Sequence, residues 1–423
     1  MRDKRKEKHI MKNQLLHTPE GVRDIYNKEC ARKLAVQENI HEVFASCGYK
    51  DIQTPTFEFF DIFNKERGSV ASREMFKFFD RDGNTLVLRP DITPSVARAA
   101  TKYFMDEDMP IRLCYMGNTY INNSSYQGRL KEVTQLGCEL IGDATVDADA
   151  EIIAMVVQCM MASGLKDFQV QIGQVDYFNG LVEEAGIDED VQEQLRELIE
   201  NKNYFGVDEL LTSINIDDKT KKSFLGMADL FGGFDVLAKA KENTDNEISL
   251  KAVERLEKLY KVLEYYKLEE RVSFELDMLG HYKYYTGIIF RAYTYGTGDA
   301  IVTGGRYDNL IAQFGKDAPS VGFAIVIDRL MLALSSQKIE AELPEGQTII
   351  LYEQEKQQEA ISAACKLRTQ GIRVELIRKF REKTIENYLE YANNYGASTI
   401  YYLGDEANEV SLRDGSMIQV DEI

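Results

Sequence analysis

A chain of 423 residues is longer than one ordinary domain, so two or three are expected at roughly 150 residues each. Hydrophobic residues make up 44%, ample for a core, and only 7 prolines argue against collagen-like or long low-complexity segments. A formal net charge of -19 argues against nucleic acid as a partner, because a phosphate backbone is held by basic surface that releases counterions.

The basic run from Arg2 to Lys8 has no apolar stretch behind it, so residues 1–14 read as a disordered, solvated basic tail and not as a targeting sequence. No window reaches the ~18 apolar residues of a membrane span. The six cysteines (Cys30, Cys47, Cys114, Cys138, Cys159 and Cys365) are scattered, without a CxxC pair or a His cluster. That spacing gives neither a zinc site nor a disulfide framework, and a reducing cytoplasm is the expected location.

Glu29 to Ser46 carries apolar residues at helical spacing and stops at Gly48, a helix-terminating residue. Tyr49 to Thr54 then alternates like a strand and ends at Pro55. Phe76 to Phe79 and Thr85 to Arg89 flank Asp82-Gly83 as a hairpin, and a helix follows to about Phe104 with Thr93 as its N-cap. Ile111 to Ile121 and Leu130 to Gly142 are strands joined by a polar loop; Asp147 to Ser163 is helical and Phe168 to Ile172 extended. About Tyr177 to Leu268 is rich in helix formers with little strand character. Strands return at Val272 to Met278, Thr286 to Tyr293 and Asp299 to Thr303, and Ser320 to Ser336 runs from strand into helix.

This irregular order predicts an α+β domain over 15–342 with an antiparallel sheet, interrupted by a helical insertion at about 177–268. After the linker Leu343-Pro344-Glu345-Gly346, strict βαβαβ order predicts a small, separate α/β domain over 347–423.

Two segments are chemically dressed. On the strand Thr134 to Glu139, period two puts Gln135, Gly137 and Glu139 on one face, an acid and an amide with room between them. A solvated face of a half-exposed sheet accounts for that pattern equally well. The second segment is Tyr282-Lys283-Tyr284-Tyr285-Thr286-Gly287 with Gly304-Gly305-Arg306-Tyr307-Asp308, where a tight turn aims a guanidinium; a plain hairpin end with an exposed Arg–Asp pair is the alternative. Phosphate-loop, serine-hydrolase, zinc-protease and kinase motifs are absent, and no cofactor motif is found.

Read together, these segments resemble the class II synthetase core of the histidyl branch. His17 to Asp24 resembles the family's entry, Gly48 to Pro55 its first motif, and Leu88-Arg89-Pro90-Asp91-Ile92-Thr93 its Leu-Arg-Pro-Glu-Gly-Thr loop. Tyr115 to Gly142 is similar to the second motif, with Gly128-Arg129 in its loop, and Val321 to Leu330 to the third. The resemblance implies that Asp91, Thr93 and Gln135 hold an α-ammonium while Glu139 and Tyr285, beside Tyr284, address an imidazole. Arg129, Arg306 and Arg329 are the candidate phosphate or anion contacts. A homodimeric core follows from the first motif, a dimer interface throughout that family.

The departures lie where a nucleotide would bind. Ile121 stands for the second-motif arginine, Asn123 for the acid two residues on, and Gly280 for the arginine preceding the tyrosine pair. Val326 replaces a glycine and Asp328 a longer acid; in the amino-acid loop Asp91 is a methylene short and Ile92 replaces glycine. Loss of one oriented donor costs about 10²–10³ in rate, and two arginines are missing.

An amino-acid half without an ATP half resembles the regulatory subunits of ATP phosphoribosyltransferase, non-catalytic paralogues of the synthetase. The resemblance implies a short-form catalytic subunit as partner, free L-histidine as effector and feedback inhibition of the first step of histidine biosynthesis. The region from Gln347 resembles a truncated anticodon-binding domain. The rival readings are a divergent histidyl-tRNA synthetase, with Lys283 the one spare cation nearby, and an RNA-binding paralogue.

Overall fold

The computed structural model describes residues 16–63, 70–123, 129–280, 284–340, 346–405, 407–413 and 415–420. The basic tail 1–14, Gly128, the stretch His281-Tyr282-Lys283 and linker residues 343–345 lie outside the described residues. The chain divides into two compact units, one of Met1–Asp24 with Val36–Glu340 and one of Ile25–Ala35 with Ala341–Ile423.

In chain order the first elements are α1 (Asn27–Ser46), β1 (Lys50–Asp51), β2 (Phe57–Phe59), β3 (Lys77–Phe79), β4 (Thr85–Leu88), α2 (Thr93–Tyr103), β5 (Ile111–Tyr120), β6 (Glu132–Ile141), α3 (Val146–Ala162) and β7 (Phe168–Gln174). The insertion holds α4 (Val175–Ala185), α5 (Glu189–Glu200), α6 (Tyr204–Ser213), α7 (Asp218–Gly226), β8 (Phe231–Gly232), α8 (Val236–Glu242) and α9 (Glu247–Tyr265). β9 (Val272–Glu275), β10 (Ile288–Thr294), β11 (Val302–Arg306), β12 (Ser320–Val326) and α10 (Ile327–Ser336) complete the first unit.

Among the described residues nine strands form one sheet in the order β1-β5-β6-β12-β11-β10-β7-β9-β8. Its pairs are antiparallel except β1 with β5 and β7 with β9. The expected antiparallel sheet is therefore mixed at its ends. The short β8 is the little strand character of the helix-rich insertion; it pairs with β9 through Phe231↔Glu275. A small sheet β2-β4-β3 is separate from it, and its β3–β4 hairpin spans residues 80–84, between the strand ends expected at Phe79 and Thr85. Asp80 closes that turn by accepting from the backbone of Asp82 and Asn84.

Local chemistry sets the helix ends. Gly48 takes φ +82 after α1, as a terminator must, and Gly186 ends α4 in the left-handed region. Thr145 caps α3 by accepting from Ala148 N, and Asp188 and Asn246 cap α5 and α9. Thr93 does not cap α2: the residue before the helix is Ile92, Thr93 is its first helical residue, and its hydroxyl serves the site instead.

The second unit is built on β13 (Thr348–Tyr352), α11 (Gln357–Thr369), β14 (Val374–Arg378), α12 (Ile385–Tyr395), β15 (Thr399–Leu403), β16 (Ala407–Val410) and β17 (Met417–Gln419). β14, β13 and β15 are parallel, as βαβαβ order demands, and β16 and β17 extend the sheet antiparallel. Ile349, Leu351, Tyr388 and Ile400 pack one side, Ile350, Ala360 and Leu403 the other.

Candidate functional site

The large sheet dips where four cross-strand neighbours are small. Gly137 on β6 faces Ala324 on β12, and Glu139 faces Gly322, which in turn faces Gly305 on β11. A Cβ on Gly322 would collide with Glu139 Oε2, so this glycine is what admits the carboxylate. Gly137 does leave room on its face, and the Tyr115 hydroxyl fills it. The cavity above is lined by Asp91, Thr93, Gln135, Glu139, Tyr284, Tyr285, Thr303 and Tyr307. All six residues expected to bind an amino acid thus meet in one place.

Glu139 is the centre. It is 1% exposed; Thr93 Oγ1 donates to its Oε1 at 2.7 Å and the Tyr307 hydroxyl donates to its Oε2. Burial pushes its carboxyl up to about 8; the hydroxyls of Tyr307 and Thr93 oppose that, and the nearby Asp91 adds to it. Burial thus favours the neutral carboxyl, while a donor or cation beside it would favour ionisation. Tyr307 and Tyr115 are held far above the usual phenol range, first by burial and then by Glu139, so both remain donors.

Asp91 accepts from Tyr284 OH at 3.1 Å and from Thr93 N at 3.3 Å. Tyr284 stacks edge-on against Tyr285 at 5.1 Å and against Tyr307 at 6.0 Å. Gln135 Oε1 is buried without a hydrogen-bond partner, an acceptor facing the cavity's needs and none of the protein's. Together these groups offer acceptors for a small cation and a donor–acceptor pair for a heterocycle.

Sequence reading missed Tyr307, Thr303 and Tyr115 as lining or support. The signal was there for the first two: Thr303 and Gly305 on β11 and Tyr307 just past its end alternate, the period that places them on Glu139's face.

The expected anion contacts go elsewhere. Arg306 is 3% exposed, neither a free guanidinium nor a surface pair. Its Nε and Nη2 reach Asp149 Oδ1 at 2.9 and 2.5 Å, Nη1 reaches Asp143 O and Asp308 Oδ1, and Nη2 also reaches Thr145 O. All five donors are spent, which corrects the expectation of an anion contact there. Arg329 donates to Ala300 O at 2.7 Å and pairs with Asp299 at 3.3 Å. Arg129 is exposed beside the undescribed stretch 124–128, and none of the three lines the cavity. Asp328, in the third-motif position, accepts from Thr134 N at 2.8 Å and so braces β6.

Folding also gathers donors that spacing had not connected: His41, Asp51 and Cys114 bring one ligand-type atom each within 4.8 Å. His41 Nε2 lies 2.8 Å from Asp51 Oδ1, and Cys114 Sγ donates to the same oxygen at 3.6 Å. The carboxylate already serves both neighbours, an arrangement complete without an ion.

Comparison with known proteins shows the family to which this fold belongs. A family model described as histidyl-tRNA synthetase matches residues 21–330. An ATP phosphoribosyltransferase regulatory subunit of Acetivibrio thermocellus is 40% identical over 407 residues, 96% of this chain and 97% of its own. Its counterpart in Ruminiclostridium cellulolyticum is 39% identical over 390 residues, 92% of this chain and 93% of its own. A crystal structure from Bacillus halodurans, described as an ATP phosphoribosyltransferase regulatory subunit/histidyl-tRNA synthetase, superposes with a TM-score of 0.81 at 34% identity, covering 92% of this chain and 98% of that one. The chain accordingly belongs to the ATP phosphoribosyltransferase regulatory subunit family, on a histidyl-tRNA synthetase-like fold.

Proposed function

We propose that this chain is the non-catalytic regulatory subunit of an ATP phosphoribosyltransferase, and that it senses free L-histidine in the cavity around Glu139. The observation that carries the reading is the buried constellation of Glu139, Asp91 and the unpartnered Gln135 Oε1, in a chain whose relatives bear that name. Asp91 and Gln135 take the α-ammonium; Glu139 and Tyr285 take the two imidazole nitrogens, each needing a different partner. Histidine shifts the assembly between states according to its differential affinity for them, and a short-form catalytic subunit reads that shift as feedback inhibition. The core pairs with a second copy through the region of α1 and β1, and the assembly works in the cytoplasm. Residues 347–423 are a domain like an anticodon-binding module, kept for packing or partner contact. Among the described residues no helix is long and apolar enough to cross a membrane.

Titration calorimetry with histidine tests this. The unaltered chain gives saturable heat at one site, and Glu139→Ala weakens binding by about 10- to 100-fold, the worth of a charge-assisted hydrogen bond at roughly 1.5–3 kcal/mol. No heat from the unaltered chain refutes histidine sensing. Histidine-dependent pyrophosphate–ATP exchange above background would instead restore the synthetase reading.

A further inference from the structure

The chain segment that leads into the tyrosine pair is held from outside the pocket by the insertion. Leu279 N donates to Glu200 Oε1 at 2.5 Å and Gly280 N donates to the same atom. Two successive backbone N–H groups, with Gly280 at φ +79, form a concavity that takes an anion, and here the chain supplies the anion itself from the last residue of α5. The other oxygen, Glu200 Oε2, accepts from Arg291 Nη2 at 3.2 Å on β10. One turn earlier on the same helix, Arg196 Nη1 donates to Leu279 O at 3.1 Å, its guanidinium lying 5.4 Å over the Phe178 ring. Just past the helix, Lys202 reaches Asp277 at 2.6 Å and Tyr204 OH reaches Asp277 at 2.8 Å.

What these contacts hold is next to the cavity. Tyr285 packs on Met278 and Ile289, and a Cβ built on Gly280 would stand 3.2 Å from the Tyr285 ring. Tyr285 in turn lines the cavity. The path from α5 to the ligand is one backbone segment and one ring long. Gly280 is also the position at which an arginine is missing; the backbone there now faces a carboxylate from the insertion.

We infer that Glu200 and Arg196 are positioning residues for the ligand pocket: α5 sets where residues 278–280 lie, and thereby where Tyr285 presents its ring and hydroxyl. Occupancy of the pocket and the placement of the insertion are then linked in both directions, as any coupling must be. This rests on the proposed histidine reading for its ligand, though not for its geometry.

The test uses the full chain with Glu200→Ala, Glu200→Gln and Arg196→Gln. Histidine affinity is measured by calorimetry well below each variant's unfolding midpoint, and the Tyr285 ring resonance is followed by NMR on tyrosine-labelled protein, assigned with Tyr285→Phe. Glu200→Ala is expected to weaken histidine about tenfold and to move the Tyr285 signal in the ligand-free protein. Glu200→Gln, which keeps an acceptor for the two N–H groups, restores most of both; Arg196→Gln gives a smaller shift in the same signal and covers the case in which the alanine variant fails to fold. A purely structural role lowers the midpoint while affinity and the Tyr285 signal stay put, and that result overturns the inference. If the unaltered chain binds no histidine, the ligand reading falls by itself and the Tyr285 signal alone decides the positioning role.

Discussion

The residues proposed to meet an amino acid and those once expected to meet a phosphate are treated in opposite ways by the same sheet. In the cavity, polar groups are buried with capacity to spare. Gln135 Oε1 has no partner, and Glu139, held at about 8, keeps lone pairs beyond those that Thr93 and Tyr307 engage. At the phosphate positions the reverse holds. Arg306 spends every donor on Asp149, Asp143, Asp308 and Thr145, and Arg329 is committed to Ala300 and Asp299. Gly280 offers no side chain and its N–H is taken by Glu200. A buried polar group left unsatisfied costs about 1–3 kcal/mol, a cost that a ligand meeting Gln135 Oε1 would repay and that the arginines avoid by pairing within the fold. That contrast is what the proposed sensing role rests on, more than on the presence or absence of any single arginine.

The largest effect that would break the contrast concerns Arg306. If its role is structural, Arg306→Ala leaves Asp149, 0% exposed, with only Arg255 at 2.5 Å, while burial alone already pushes that carboxyl up. Loss of one partner from a buried pair costs about 3–5 kcal/mol, read as a drop in the urea midpoint. Arg306→Lys should recover little, since one ammonium cannot replace a planar fork of five donors. A stable alanine variant with altered anion binding would return Arg306 to the phosphate half.

The next effect is a pH dependence carried by Glu139. Its folded-state carboxyl sits at about 8, far above the ordinary value of about 4.5, with burial the first cause. In the unfolded chain the group ionises near 4.5 and in the folded, ligand-free chain it still holds its proton. The folded state therefore binds more protons, and stability falls as pH rises between those values, levelling above 8. Glu139→Gln removes that slope. Denaturant midpoints of the two proteins should nearly coincide at pH 4.5 and diverge by pH 8, with the glutamine variant the more stable. Parallel curves would mean that Glu139 is ionised in the empty pocket.

Much of this was legible in the sequence. Period two exposed Gln135 and Glu139 as one face, and capping and hairpin chemistry located most elements because those signals are local. What stayed hidden depends on neighbours far along the chain. That Thr93 turns its hydroxyl to Glu139 instead of capping α2 needs β6 beside it, 46 positions away in sequence. Arg306 looked free because its partner Asp149 lies 157 positions earlier, on α3. Gly280's isolation was visible as a missing arginine, but the acid that replaces the missing interaction comes from an insertion with no motif of its own.

The smallest expected effect is also the one that most sharpens the comparison. Gln135 lies on β6 with Oε1 buried and unpartnered, so the ligand-free protein gains nothing from that oxygen. Gln135→Leu removes the amide at similar length and should leave the chain at least as stable as the unaltered one, by up to about 1–3 kcal/mol, since an unsatisfied buried acceptor is relieved. Histidine affinity should nevertheless fall about tenfold, one ammonium hydrogen bond at about 1.4 kcal/mol. Arg306→Ala predicts the mirror image, lost stability without a direct loss of ligand contact. If Gln135→Leu instead destabilises the empty chain and spares histidine binding, the oxygen serves the fold and the cavity has no spare acceptor there. The division between the two regions would then rest on Glu139 and Asp91 alone.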